Sequence, residues 1–289
     1  MQSLQHLVNA LSLGSLYAAV AIGYTMVFSV LRLVNFAHGD IMMMGAYLGY
    51  LCMKLFSLPV SAALLLSMAL CGGFGVLCER FIYRRTRDAD TMMIAAVGVS
   101  LVLEYGFMLI FGAQPHVIPE NPMNTVITVG GVSFTGVKLA CVALVAVALV
   151  ALHLLLGHTK LGVGIRAVAS NREAAQLCGI DTRRPTGLVF FLGSALAGCA
   201  GILYGSAFSM NPLMGMTIGM KGFAAAVVGG IGSISGAVLG AYLMAFAETF
   251  CAVYLSSAYK DAVAFLILMA VLIFFPSGIF PKNSAAKRS

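Results

Sequence analysis

Ionisable side chains fall inside long apolar runs of this 289-residue chain. His38 and Asp40 open the run 35–56, Glu104 sits near the middle of the run 91–113, and Glu248 lies in the run 220–250. An ionisable group within a hydrocarbon layer costs a few kcal/mol on insertion scales, and such groups usually face the interior of a helix bundle. Glu104 is therefore expected either to line a polar path or to be a protonated, hydrogen-bonded packing residue. His38 and Asp40, just after Asn35, either border the same path or form an interfacial turn. Nothing in the chain has the spacing of a catalytic or metal-binding constellation. There is no H-E-x-x-H, no Ser/His/Asp pattern in a supporting context, and no C-x-x-C among the seven cysteines. No catalytic residue, metal or cofactor is expected.

Energy coupling is a separate question. A G-x-x-x-x-G-K-[ST] phosphate loop is absent, so a chain of this kind that pumps must be driven by another subunit. The segment that suits such contact is 158–185, which lies between two apolar runs and carries Lys160, Arg166, Arg172, Arg183 and Arg184. Within it Ser170 is expected to cap a short helix, with Glu173 reaching back as a capping box. Gly179 is expected to end that helix in the left-handed conformation. Ala174, Leu177 and Cys178 then share one face and Ala175 keeps the neighbouring surface low, which suits docking into a groove on a partner protein.

These groups must be positioned by membrane-spanning helices. The chain is 61% hydrophobic and 9% charged, with mean hydropathy +0.99, whereas a soluble domain carries roughly 25% charged residues. A bilayer core needs about 20 apolar residues per helix. The runs 8–31, 35–56, 59–79, 91–113, 137–157, 186–206, 220–250 and 262–280 fit, giving an all-α polytopic transmembrane bundle with a single transmembrane domain over 1–289. The net charge of +7 comes from short loops and does not point to nucleic acid. Arg32, the cluster Arg80, Arg84, Arg85 and Arg87, the 158–185 loop, and Lys282, Lys287 and Arg288 mark the cytoplasmic side. This puts the N-terminus outside and the C-terminus in the cytoplasm of an inner-membrane protein.

Parity then requires that one run not be a simple span. The run 220–250 is broken by Gly229, Gly230, Gly232, Ser233, Ser235 and Gly236, which predicts two half-helices meeting in a hairpin. Broken backbone at membrane depth is tolerated where protein or a watery cavity satisfies it, so this break is expected to line a path. Gly45-Ala46-Tyr47-Leu48 and Gly240-Ala241-Tyr242-Leu243 suggest an inverted repeat. Gly201-xxx-Gly205 and Gly232-xxx-Gly236-xxx-Gly240 suggest close helix packing. The 114–136 segment is the sizeable outer, periplasmic loop. Pro115, Pro119 and Pro122 extend its start, and Thr125 to Val129, Gly130-Gly131 and Val132 to Phe134 read as a β-hairpin.

Several stretches resemble a known family. Glu173-Ala174-Ala175 followed after three residues by Gly179 is similar to the loop by which membrane subunits of ATP-binding-cassette importers dock on their ATPase. Ala21 to Val27, Val34 to Asp40, the 162–180 loop, Gly219 to Phe223, Ala226 to Ser233 and Tyr254 to Asp261 together resemble the permease subunit of branched-chain amino-acid importers. The N-F-A-H-G and G-G-I-G-S stretches are specific to that family. The resemblance implies a partnership with a second related permease subunit, two cytoplasmic ATPase subunits and a periplasmic substrate-binding protein. It implies translocation of branched-chain or other small amino acids, with urea or short amides as alternatives among relatives. Coupling would run through Gly162, Arg166, Ser170, Glu173, Ala174, Ala175 and Gly179. The path would involve Asn35, His38, Asp40, Glu104 and the Gly229–Ser235 break. A stand-alone ion-coupled transporter, with Glu104 as a proton relay, is the alternative of a different class; a membrane scaffold is a weaker one.

Overall fold

A computed structural model describes residues 2–86, 88–118, 125–129 and 132–280. Arg87, Pro119, Pro122, Gly130, Gly131, Lys282, Lys287 and Arg288 lie outside the described residues. The chain runs through α1 (Gln2–Leu31), α2 (His38–Leu55), α3 (Val60–Cys78), α4 (Ala89–Phe111), β1 (Val126–Val129), β2 (Val132–Thr135), α5 (Gly136–His158), α6 (Lys160–Ser170), α7 (Arg172–Leu177), α8 (Arg183–Ala207), α9 (Met214–Gly229), α10 (Ile234–Tyr254) and α11 (Lys260–Phe274). A π-helical turn, Glu79–Tyr83, extends α3, and a 3-10 turn, Ser257–Tyr259, precedes α11.

Among the described residues, 7 helices are long and apolar enough to cross a membrane: α1, α3, α4, α5, α8, α10 and α11. In α1 and α8, 83% and 78% of the apolar window is buried inside the protein; in α4, α5 and α11 the share is 17%, 22% and 11%. The first two therefore form the centre, and the others present their apolar faces outward, as a lipid-embedded protein allows. The centre is built from small residues. A Cβ on Gly45 of α2 would lie 2.4 Å from the Cα of Gly198 in α8, and one on Gly201 would lie 2.0 Å from the Met42 carbonyl. Helices in lipid associate through such close backbone approach. Of the expected packing glycines, Gly201 meets α2, Gly205 meets Ile118 and Met210, Gly236 meets Gly229, and Gly240 meets Ala225 and Gly229. Gly232 does not pack; it sits in the turn between α9 and α10 with φ +95°.

The two ends of the bundle differ. One end holds α6 and α7, and Arg32 after α1 donates to the Ala169 carbonyl of α6 at 2.7 Å. The opposite end holds the start of α1 and the hairpin. Gln5 donates to the Ser133 carbonyl at 3.0 Å and accepts from Ser133 N–H at 2.8 Å. The strands pair antiparallel from Val126↔Thr135 to Val129↔Val132, as the sequence predicts. His116 and Met210 exchange two backbone bonds of 2.8 Å, joining the segments after α4 and α8.

The glycine break separates the two arms of a hairpin, but the arms are unequal. α9 has 16 residues and α10 has 21, about 24 and 32 Å, so α10 is long and apolar enough to span by itself while α9 is a shorter apolar helix. The break lies at the α6–α7 end, where Ile234 and Ser235 share a cavity with Leu152, His153 and Arg166. Gly230 and Gly232 have φ of +107° and +95°, a region open to glycine and costly for other residues. The inverted relation suggested by the two G-A-Y-L stretches is not there. Both lie in helices, α2 and α10, that run away from the α6–α7 end. Tyr47 stacks near Phe111 and His116, and α10 ends by the cavity that holds His6 and Asn9.

Two glycine-to-alanine changes separate packing from propensity. Gly73 of α3 has open space where a Cβ would go, so Gly73→Ala is expected to be neutral or stabilising by up to about 1 kcal/mol. Gly45→Ala is expected to cost about 1–3 kcal/mol through overpacking. The thermal unfolding midpoints of the detergent-purified variants report this; equal midpoints would contradict the α2–α8 contact.

Candidate functional site

The expected path residues fall in two separate places. Asn35 is committed to structure: its Oδ1 accepts from Tyr83 Oη at 2.7 Å and from Ala37 N–H at 3.2 Å, which holds the α1–α2 connection against the end of α3. His38 is 1% exposed, with its ring 4.8 Å from that of Tyr24, and a Cβ on Gly23 would lie 2.2 Å from its Nε2. The glycine is what admits the imidazole between α1 and α8. Asp40 accepts a short hydrogen bond from Ser100 Oγ of α4 through Oδ2, while Oδ1 lies against Gly215 at the start of α9 and has no hydrogen-bond partner. Glu104 follows one turn after Ser100, is 5% exposed, and its Oε1 is likewise unpartnered. Asp40, Ser100 and Glu104 thus form a buried acidic group between α2 and α4, not an interfacial turn.

The break is elsewhere. Ser233 caps α10 by accepting from Gly236 N–H at 3.2 Å. Ser235 borders a cavity of about 590 Å³ with Arg166. Gly229 accepts from Phe280 N–H at 3.1 Å, so the segment after α11 closes over the turn. The structure therefore does not bring Gly229, Gly230, Gly232, Ser233 and Ser235 together with His38, Asp40 and Glu104.

A second cluster was not anticipated from the sequence. Lys221 of α9, within the stretch Gly219 to Phe223, is 4% exposed. Its ammonium lies 2.9 Å from Glu248 Oε2 of α10, 2.7 Å from Asp261 Oδ1 of α11 and 3.2 Å from Tyr17 Oη of α1. Tyr17 Oη in turn donates to Glu248 Oε2 at 2.9 Å. These groups border a cavity of about 550 Å³ that Lys138 and Lys260 also line. A buried ion pair is tolerated when its charges are mutually satisfied, since desolvation costs several kcal/mol per ion. The sequence signal was opposite charge on the two arms of one hairpin, Lys221 and Glu248. It was hidden because the other partners are 204 positions away at Tyr17 and beyond the end of α10 at Asp261.

The 158–185 segment forms two helices. Thr159 caps α6, accepting from Gly162 N–H at 2.9 Å. A Cβ on Gly162 would lie 2.1 Å from the Leu155 carbonyl, and one on Gly164 would lie 3.0 Å from Pro185, so α6 is held flat against α5 and α8. Arg166 faces outward. The cap of α7 is Asn171, whose Oδ1 accepts from Ala174 N–H at 3.0 Å; Ser170 is instead the last residue of α6. Glu173 therefore falls one position short of a capping-box partner and stands exposed in the first turn. Gly179 ends the helix at φ +78° as expected, and Ile180 N–H returns to the Ala175 carbonyl at 3.0 Å. Ala175 is buried and roots the helix, while Ala174, Cys178 and Leu177, the last 90% exposed, face away from the protein.

Comparison with known proteins places these features. Residues 6–272 match the family model described as branched-chain amino acid transport system / permease component. The chain is 36% identical over 299 residues to the high-affinity branched-chain amino acid transport system permease protein BraD of Pseudomonas aeruginosa, covering 98% of this chain and 97% of that one. It is 34% identical over 300 residues to the LivH permease protein of Escherichia coli, with the same coverage. Among solved structures it resembles PsaBC from Streptococcus pneumoniae in complex with Fab, with TM-score 0.52, 10% identity and 92% and 91% of the two chains covered; that likeness concerns the fold alone.

The Lys221 cluster makes a stability prediction. Lys221→Met leaves Glu248 buried without its counter-ion and is expected to cost about 3–5 kcal/mol, while the double variant with Glu248→Met recovers most of that loss. Thermal unfolding in detergent measures both; a single variant as stable as the parent would show that the ion pair is not formed.

Proposed function

This chain belongs to the family of branched-chain amino acid transport permease components, and from that premise we propose that it is the membrane-spanning, non-catalytic subunit of an ATP-binding-cassette importer. It passes branched-chain or other small amino acids into the cytoplasm. It pairs with a second related permease subunit, takes substrate from a periplasmic binding protein, and is driven by two cytoplasmic ATPase subunits. The names of its relatives support the substrate class. The observation that carries the coupling is α7: a capped helix rooted by Ala175 that holds Leu177 90% exposed at one end of the bundle. An apolar face on a short capped helix that also carries Arg172 and Glu173 fits a groove on a soluble partner.

Arg32, Arg80, Arg84, Arg85, Arg183 and Arg184 collect at that same end, and by the charge rule this end faces the cytoplasm. The N-terminus, the β1–β2 hairpin and the Lys221 cavity then face the outside of the inner membrane. Substrate enters from the cavity, and the α9–α10 hairpin runs from it to the glycine break beside α6. Asp40, Ser100 and Glu104 flank this hairpin at the start of α9, where Gly215 meets Asp40. They are a polar lining beside the route, and Ser233 and Ser235 are its inner end.

The test is Leu177→Asp, with Gly179→Asp as a second variant that strains the cap. Both are expected to lower uptake and substrate-stimulated ATP hydrolysis at least about tenfold in the assembled complex while the permease remains at normal level in the membrane, since burying an unpaired charge at an interface costs several kcal/mol. Unchanged uptake would reject the docking role. Uptake by the chain alone in liposomes under an ion gradient would instead establish an ion-coupled carrier.

A further inference from the structure

Three ionisable groups in contact at the 550 Å³ cavity, Lys221, Glu248 and Asp261, carry a formal charge of −1, and Lys138 and Lys260 line the same cavity without a carboxylate partner among the described residues. Lys221 donates to Tyr17 Oη and Glu248 Oε2 and forms an ion pair with Asp261 Oδ1 at 2.7 Å. Glu248 is 2% exposed, yet its Oε1 has no hydrogen-bond partner. A buried carboxylate oxygen left bare is costly, and the residue borders the cavity. In front of it the side chain of Asp261 is 50% exposed. A hydrogen-bond donor arriving through the cavity would complete this arrangement, and a positively charged one would also offset the charge of the two carboxylates.

The same cavity holds the opposite charge in a usable state. Lys138 donates to Asn9 Oδ1 at 2.8 Å and is paired with no carboxylate among the described residues. Leu13, Ile218 and Val253 supply an apolar wall. The volume lies within the range of about 300–1,000 Å³ usual for small-molecule sites.

We propose that this cavity recognises the charged head of a free α-amino acid: the ammonium on Asp261, with Glu248 behind it, the carboxylate on Lys138, and an aliphatic side chain against the apolar wall. The proposal rests on the reading of the chain as an amino-acid permease and adds to it a site and a reason for substrate class. Neutral molecules such as urea and short amides can donate an N–H but bring no positive charge, so they gain a weaker anchor here. Lys221 is a positioning residue that fixes both carboxylates; Asp261 and Lys138 are the contacts.

The experiment uses the complete complex of permeases and ATPases, purified without the binding protein, and saturation-transfer NMR with leucine, 3-methylbutylamine, 4-methylpentanoate and 3-methylbutanamide. Leucine and the amine are expected to bind about tenfold or more tightly than the neutral amide, the scale of a charge-assisted hydrogen bond. Asp261→Asn is expected to erase the preference for the amine, and Asp261→Glu to retain it. Lys138→Gln is expected to weaken leucine and 4-methylpentanoate about tenfold and leave the amine unaffected. Equal binding of amine and amide by the unaltered complex, or leucine binding indifferent to Asp261→Asn and Lys138→Gln alike, overturns the proposal. Leucine uptake by the same complex with its binding protein separates the two levels. Uptake without head-group selectivity in the cavity overturns this site and leaves the permease reading standing, whereas an unaltered complex that takes up no amino acid overturns both.

Discussion

An ammonium group buried in a bundle of glycine, alanine and aliphatic residues cannot be left to the lipid, and the way Lys221 is satisfied explains where four helices stand. Its partners come from α1, α10 and α11, and each is within 3.2 Å. Glycine crossings such as Gly45 with Gly198 let helices approach closely but specify sliding poorly, because small residues fit at many offsets. A charge with three fixed partners admits one offset. The ion cluster therefore sets the register of α9 and α10 against α1, and together with the Gly278–Phe280 segment it ties down α11, which is 11% buried in its apolar window.

That register gives the molecule two unlike ends joined by one element. The α9–α10 hairpin carries Lys221 and Glu248 on its arms near the wide cavity. Its turn, Gly229 to Ser235, lies beside Arg166 of α6. The Gly278–Phe280 segment closes over that turn through the Val228 and Gly229 carbonyls. α6 is in turn held to α1 by the Arg32–Ala169 bond and is continuous with the exposed α7. α7 is continuous with α6, which packs on α1, α5 and α8, and α1 in turn packs along both arms of the hairpin.

The sequence showed the spans because an apolar run of about 20 residues has few other uses. It showed the break because glycines at that density do not continue a helix, and Gly179 because only a left-handed position ends α7 there. The cap of α7 came out one residue late, since Ser170 and Asn171 are adjacent and both can cap; α6 runs through Ser170 and Asn171 takes the cap. The depth of the break was misplaced because run length says where a helix can cross, not where its end lies. Asn35 looked like a path residue, but its amide oxygen accepts from Tyr83 and from Ala37 N–H. The Lys221 cluster was illegible because its members are scattered from Tyr17 to Asp261, and only the fold makes one site of them. The likeness of the two G-A-Y-L stretches was composition in a Gly- and Ala-rich chain.

Sidedness is the central claim, since it makes α7 a docking element and the ion-lined cavity an entrance. Cys178 offers a direct measurement without mutation. It is exposed on α7, whereas Cys52, Cys71, Cys78, Cys141, Cys199 and Cys251 are buried. A membrane-impermeant maleimide should label Cys178 in inside-out vesicles and not in right-side-out ones, and the ATPase subunits should protect it. Labelling from the outside, or labelling from the inside that is indifferent to the ATPase subunits, would contradict the account.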